Sequence, residues 1–582
     1  MRRSHVSAAV TTAAVLLVAT VSGTTWTSTA SPSAASSAGR TATTSYVVLA
    51  KEGSSATALA KRLEAAGGKV SSVNSAIGLV SVSSSDAAFK GRASKVAGAE
   101  GVATDRTIGY APTRRPQAVE QENLRSTKAR NAKVAQRPKA GKKPKKSTSD
   151  PLDSQLWGMR MIGADKAHQY TLGNKKVRVG VIDTGVQADH PDIHPNFDYK
   201  LSRNFVTDIP EIDGPCESAG CKDPVGEDDG GHGTHVAGTI GAALNGLGVT
   251  GVAPKVDLVE VRAGQDSGYF FLQPVVDAIT YSADAGIDVV NMSFYVDPWL
   301  YNCAGGAPED TPEQAAEQGV IISAMNRALS YAHHRNVTLV AATGNNNEDL
   351  ANPRVDTSSP DYGAEPHDRT IDNAKCLDLP VEGRYVIGVN ALGPSGKKSD
   401  FSNYTTDLRS GEVEVSAPGG WFRDGFGTPT FRTNQNMILS TVPLVSVQET
   451  GEVDADGNIT ELGEESGVQK VCQAKPAPGT AACGYYAFYQ GTSMASPHAA
   501  GVAALAVGAH GRSSRHGGFG LSPVIVRALL LGTATDHACP AGGVQSYLDE
   551  GRDASYTAKC VGTKYYNGFY GHGIVNALRV VR

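Results

Sequence analysis

The stretch Gly491-Thr-Ser-Met-Ala-Ser-Pro-His-Ala-Ala-Gly501 sets a serine, Ser493, just ahead of Ala499–Ala506, an apolar run of small residues that reads as a buried helix. A helix starting here, with Pro497 in its first turn, presents Ser493 where unpaired N–H groups and the helix dipole favour developing negative charge. A serine hydroxyl is a poor nucleophile at neutral pH and needs a base, which in turn needs an orienting group. Gly230-Gly-His-Gly-Thr-His-Val-Ala-Gly238 offers the base: His232 is flanked by glycines and opens a small-residue helix. His232 and His235 also read as a His-x-x-His metal pair, but no glutamate shares their helical face, and the glycine-rich entry fits a base better. The orienting group is offered by Asp183, at the end of the β-branched run Lys176–Ile182; a helix cap or an ion pair is the competing reading. Asn345, in Thr343-Gly-Asn, puts an amide at the tip of another apolar strand.

These residues need a scaffold that gathers strand tips on one side. Strands are expected at Val256–Arg262, Ile287–Met292, Val337–Ala342, Tyr385–Val389 and Glu412–Val415, with helices at Pro274–Ala285 and Gln314–His333 among them. Alternation of this kind predicts a mostly parallel sheet covered on both faces, with its chemistry at the carboxyl ends of the strands. Gly246-Leu-Gly-Val-Thr-Gly251 matches a dinucleotide fingerprint in letters only, because it lies between a helix and a strand in the wrong order. Ser416–Gly419 is expected as a tight turn and Gly420–Tyr486 as a large irregular insertion. Within it, Val453–Ile459 has the opening letters of a calcium loop without the later acids, and reads better as a hairpin turn at Asp456-Gly457.

The chain of 582 residues is 40% hydrophobic, which describes a globular protein of more than one folded unit. Its net charge of −4 conceals a split: 23 Lys and Arg against 7 Asp and Glu up to Ser149, then 31 against 51. The basic front carries no aromatic interleaving, so nucleic-acid binding is not expected. Residues 1–35 pair Arg2 and Arg3 with the apolar Ala8–Val21 run and small residues beyond, as a secretory signal peptide does; that run is too short and threonine-rich to span a bilayer. Thr44–Pro112 reads as a small β-α-β-β-α-β unit of ferredoxin-like type. Residues 113–149, rich in Lys and Arg with scarcely an apolar side chain to bury, read as a disordered linker. Eight cysteines, all past Ser149, suit disulfides in an exported protein. Short separations suggest Cys216–Cys221, Cys472–Cys483 and Cys539–Cys560, leaving Cys303–Cys376, although spacing alone does not fix the pairing.

Together, Asp183-Thr-Gly185, His232-Gly-Thr-His-Val-Ala-Gly238, Gly491-Thr-Ser-Met-Ala-Ser-Pro497 and Ala342-Thr-Gly-Asn345 resemble, in motif and order, the subtilisin-like serine proteases of the peptidase S8 family, in the secreted bacterial type. The resemblance covers residues 150–582. It implies a three-layer α/β/α fold with a mostly parallel sheet, and a serine endopeptidase whose Asp183, His232 and Ser493 form the catalytic triad. Asn345 would serve the oxyanion hole, and Ser293 and Phe294 the strand that pairs with substrate. It recasts residues 44–112 as an inhibitor-type pro-domain of a secreted zymogen, with residues 113–149 removed on maturation and a first mature residue between Lys146 and Leu152. The implied partners are protein or peptide substrates and the chain's own pro-domain, with no nucleic acid and no membrane span in a monomeric mature protein. No cofactor is implied for catalysis; a structural calcium is left open, because Asp192 with Asn245 resembles calcium-binding positions of some relatives. The chain departs from many relatives in having Ser293-Phe-Tyr-Val296 where they have Ser-Leu-Gly-Gly. A peptide-binding relative without activity is the alternative function.

Overall fold

The computed structural model describes residues 43–105, 149–352, 354–362, 364–513 and 519–582. The expected signal peptide and nearly all of the basic linker lie outside them.

In chain order the first unit comprises β1 (Thr44–Ala50), α1 (Ala56–Ala65), β2 (Lys69–Asn74), β3 (Leu79–Ser84), α2 (Phe89–Ala93) and β4 (Ala99–Asp105). The strands form an antiparallel sheet ordered β2-β3-β1-β4. Tyr46, Val48, Val80 and Val82 pack on one face against Leu59, Leu63 and Phe89 of the two helices. The sequence reading names the β-α-β-β-α-β order without locating β2. That strand is an edge of Lys, Ser and Asn with few buried side chains, so it gives almost no hydrophobic period.

The larger unit is built on β5 (Arg178–Ile182), β6 (Arg203–Asn204), α3 (His232–Gly241), β7 (Asp257–Arg262), α4 (Leu272–Asp284), β8 (Val289–Met292), α5 (Pro312–His334), β9 (Thr338–Ala342), β10 (Val386–Leu392) and β11 (Val415–Pro418). Seven strands make one parallel sheet, ordered β11-β10-β9-β8-β5-β7-β6. Successive strand residues face opposite sides. Val179, Val181, Val289 and Val340 join the core under α3, whereas Ile182, Val290, Met292 and Leu339 join the core under α4 and α5. This is the expected three-layer arrangement. Among the described residues, no helix is long and apolar enough to cross a membrane.

The second face of the small sheet rests on the larger unit. Val47, Leu49, Leu79 and Ala103 share a core with Val320 and Ala324 of α5. Asn74 donates to Asp277 (2.7 Å) and Thr280 (2.8 Å) of α4, while Arg327 of α5 donates to the carbonyl of Ala50 (2.7 Å) and pairs with Glu100 (2.5 Å).

Two expectations in the second half are corrected. Ser416–Pro418 is strand rather than turn, since Pro418 ends an edge strand, where a missing N–H is tolerated. The insertion Gly420–Tyr486 is not irregular throughout: β12 (Ile438–Val442), β13 (Gln469–Cys472) and β14 (Cys483–Tyr489) form an antiparallel sheet ordered β12-β14-β13. The hairpin reading within it holds, with Val453 bridged to Ile459 and Asp454 accepting the N–H groups of Asp456 and Asn458. β14 leads through Gln490 and Gly491 into α6 (Thr492–His510). The disulfides join Cys216–Cys221, Cys303–Cys376, Cys472–Cys483 and Cys539–Cys560, the pairing that the separations suggest.

Candidate active site

β5 is buried on both faces and delivers Asp183 to its carboxyl end with no solvent exposure. The Asp183 Oδ1 atom accepts the Thr184 N–H (2.9 Å) and the His232 Nδ1–H (2.7 Å). Burial raises the Asp183 carboxyl above its ordinary range, and the His232 imidazole opposes that rise by charge and hydrogen bond. His232 opens α3 directly after Gly231, which holds the left-handed φ of 81°. Gly233 is obligatory because a Cβ there would run into the Gly185 carbonyl oxygen.

A buried acid that the sequence reading passed over fixes this junction. Asp228 accepts the Thr184 hydroxyl (2.8 Å), the Gly231 N–H (2.9 Å), and both the N–H and hydroxyl of Thr234 (2.8 and 2.6 Å). It ties the tip of β5 to the head of α3. Its signal in the sequence is an aspartate just ahead of a helix start, a capping pattern. His235 is not available to a metal beside His232: its Nε2 is shared by the carbonyls of Ile438 (3.0 Å) and Ala487 (3.3 Å), and its ring stacks on Tyr489.

Ser493 is the second residue of α6, 4% exposed, behind Gly491 at φ 151°. α6 packs against α3 and lies over β8, β9 and β10. Pro497 is inside this helix rather than in its first turn, so it removes the N–H that would meet the Ser493 carbonyl four residues back. Ser293 replaces it: its hydroxyl donates to the Ser493 carbonyl at 3.1 Å and is itself held by Asn291 Nδ2 at 2.9 Å. Ser293, expected at the substrate strand, therefore spends its side chain on the helix. Its carbonyl oxygen lies 3.4 Å from Ser493 Oγ. Phe294 stacks on Phe270, ring centroids 4.1 Å apart.

Asn345 follows β9 and turns its Oδ1 to α6, accepting the Thr492 N–H and hydroxyl, both at 2.9 Å; that leaves its Nδ2 as the outward donor. The turn is braced by Asn403, which donates to the Thr343 carbonyl (2.8 Å) and accepts from the N–H groups of Asn346 and Glu348. Beneath it, buried Lys398 donates to Asn347 Oδ1 (2.8 Å) and to the Ser399 and Ser402 carbonyls. Burial pushes its amine down to about 7. Neither brace has a local sequence signature.

At the position compared with calcium sites, Asp192 Oδ1 accepts from Asn245 Nδ2 (3.1 Å), and Oδ2 accepts the Val249 N–H (3.0 Å) and the Tyr486 hydroxyl (2.8 Å). Hydrogen-bond donors rather than ligand oxygens face this carboxyl, and burial raises it to about 7. That donor set fits a cation poorly. The acids Asp208, Asp223 and Asp266 are grouped closely enough to hold a metal, but the Arg262 guanidinium contacts all three.

A doubly covered parallel sheet with an acid–imidazole pair at one strand tip and a serine heading a buried helix defines a three-layer α/β/α protein with the site of a serine hydrolase. Residues 174–573 match the Subtilase family, peptidase S8, and the chain belongs to that family of serine endopeptidases. It is similar to thermitase of Thermoactinomyces vulgaris, 26% identical over 412 residues covering 70% of this chain and 98% of that one. It is also similar to an intracellular serine protease of Paenibacillus polymyxa, 29% identical over 351 residues, 60% and 71% of the two chains. Among solved structures, the epidermin leader peptide processing serine protease EpiP of Staphylococcus aureus shares the fold at a TM-score of 0.58 and 18% identity, covering 93% of this chain and 98% of that one.

Proposed function

We infer that Asp183, His232 and Ser493 act as one catalytic unit in a secreted endopeptidase made as a self-processed zymogen. The observation that carries this reading is the 2.7 Å contact of His232 Nδ1 with Asp183 Oδ1, at a strand tip beside the helix headed by Ser493. With Nδ1–H held by the buried carboxylate, Nε2 is the basic nitrogen. It takes the proton as Ser493 Oγ attacks a peptide carbonyl and later delivers it to the leaving amine. Asp183 stabilises the imidazolium in between. The Asn345 Nδ2 and the Ser493 N–H at the positive end of α6 stabilise the tetrahedral oxyanion, and water then releases the acyl group from Ser493. No cofactor enters this cycle.

The small sheet seated on α4 and α5 acts in this reading as the inhibitor-type pro-domain, and residues 1–35 direct export. The mature body begins near Asp150, which is tied down by its carboxyl accepting the Gly246 N–H (2.7 Å) and the Thr250 hydroxyl (3.0 Å). The test is a fluorophosphonate, expected to label Ser493 in the secreted protein and to abolish casein hydrolysis. A Ser493→Ala precursor should retain residues 44–105; a variant that still sheds them would defeat the reading.

A further inference from the structure

Most buried acids of the larger unit are matched by donors: Asp192, Asp228 and Asp310 each accept several hydrogen bonds. Asp378 is different. It is 3% exposed, yet among the described residues its carboxylate accepts no hydrogen bond. Burial drives its carboxyl up to about 7, opposed by the charge of Arg354. That arginine stacks over Tyr301, pairs with Glu348 and donates from Nη1 to the Asp349 and Asn352 carbonyls and to Asn373 Oδ1 rather than to Asp378. A buried carboxylate without donors is costly unless a cation reaches it.

Its place in the fold says where that cation would come from. A Cβ at Gly344 would stand 3.4 Å from Asp378 Oδ2, and Gly344 adjoins Asn345 and donates its N–H to the Thr492 hydroxyl, next to Ser493. On the other side the Leu379 carbonyl accepts the Val296 N–H at 2.9 Å, three residues beyond Ser293, whose carbonyl faces Ser493 Oγ. Asp378 thus lies between the two segments that leave β8 and β9 and flank the nucleophile. Its own turn is pinned by Glu382, which accepts the Asp378 N–H at 2.5 Å, and Glu412 adds further negative charge. The same two segments flank the place where an acyl-side residue would lie with its carbonyl at Ser493 and Asn345.

Resting on the catalytic reading above, we propose that Asp378 is a specificity-determining residue and that the enzyme cleaves after lysine or arginine. A buried carboxylate between the segments that flank a reactive serine selects a cation, because an apolar side chain leaves the charge buried and unpaired. The chain carries such bonds itself: residues 106–148 hold 13 Lys and Arg against 2 Glu, ending in Lys142-Lys-Pro-Lys-Lys146 just before the body begins.

The experiment uses the purified secreted enzyme and four peptide amides that differ only in Lys, Arg, Leu or Phe before the scissile bond. The wild type should show kcat/KM for Lys or Arg roughly 100-fold above Leu and Phe, and Asp378→Asn should collapse the Lys-to-Leu ratio by a similar factor. The residue preceding the mature N-terminus, read by mass spectrometry, should be Lys or Arg. A wild type that favours Leu or Phe overturns the proposal even if Asp378→Asn does not fold. So does an Asp378→Asn enzyme that loses activity equally on all four peptides, the result of a merely structural role. A protein that neither hydrolyses any peptide nor takes up fluorophosphonate at Ser493 fails at the catalytic reading instead.

Discussion

The side chain of Ser293 and the ring of Pro497 meet at one atom, the carbonyl oxygen of Ser493. Ser293→Ala leaves that buried acceptor unmet and should destabilise the protein by about 1–3 kcal/mol, with a fall in kcat as the helix head shifts. In a Pro497→Ala background the helix regains its own N–H, so the same Ser293→Ala change should cost less; a double-mutant cycle by denaturant unfolding measures the difference. His190 sets a pH limit. Its Nδ1 accepts the Asp192 N–H and its Nε2 donates to the Tyr485 carbonyl, so the folded protein holds a neutral ring, and burial lowers it to about 4. Between about 6.5 and that value the unfolded chain binds the extra proton first, so stability is in place above the window and is lost as pH falls through it. Buried Asp192 and Asp288, both raised to about 7, act in the opposite sense. His190→Asn keeps an acceptor for the turn and does not titrate, so its unfolding free energy should fall more gently than that of the wild type from pH 7 to 4, by up to about 3 kcal/mol in the difference.

Between elements, Arg262 at the end of β7 joins loops that are far apart in the chain by contacting Asp223 (2.5 Å), Asp266 (2.7 Å) and Asp208 (3.2 Å). Arg262→Met should cost about 3–5 kcal/mol by leaving buried acids without their cation. Burial raises Asp266 to about 8 and Asp208 to about 6, so the deficit should shrink on acidification as these acids protonate; thermal melts of variant and wild type at pH 5 and pH 8 test the sign. Such ties explain what was legible in advance. The parallel sheet could be read because β5, β8, β9 and β10 are mostly apolar, β-branched runs, and Asp183, His232, Ser493 and Asn345 could be read as candidates because strand tips and helix heads announce themselves. β2 could not, and the strand expected at Glu412–Val415 instead occupies Val415–Pro418, since edge strands bury little and tolerate polar residues and proline. Asp228, Asn403, Lys398 and Asp378 matter only through partners brought up from distant parts of the chain, which a local pattern cannot register. The expectation of Pro497 in the first turn fails because the helix begins at Thr492, with a compensating hydroxyl supplied from position 293.

For the whole molecule the decisive interface is that of the small sheet with α4 and α5. Arg327 donates to the carbonyls of Ala50 and Ile77 and pairs with Glu100, so under the proposed zymogen reading Arg327→Ala should speed release of the small unit by roughly 10- to 100-fold, read as a shortened lag before proteolytic activity. The disulfide Cys303–Cys376 closes a separation of 73 residues, and replacing both cysteines by alanine should lower stability by about 4 kcal/mol in chemical unfolding. All four crosslinks are internal to the body that holds Ser493, and none reaches the sheet of residues 44–105. If the peptide connection between them is severed as proposed, retention of that sheet depends on its concentration relative to the affinity of that interface. Under the proposed export, dilution would then serve as the trigger, and no reductant would be needed to complete it.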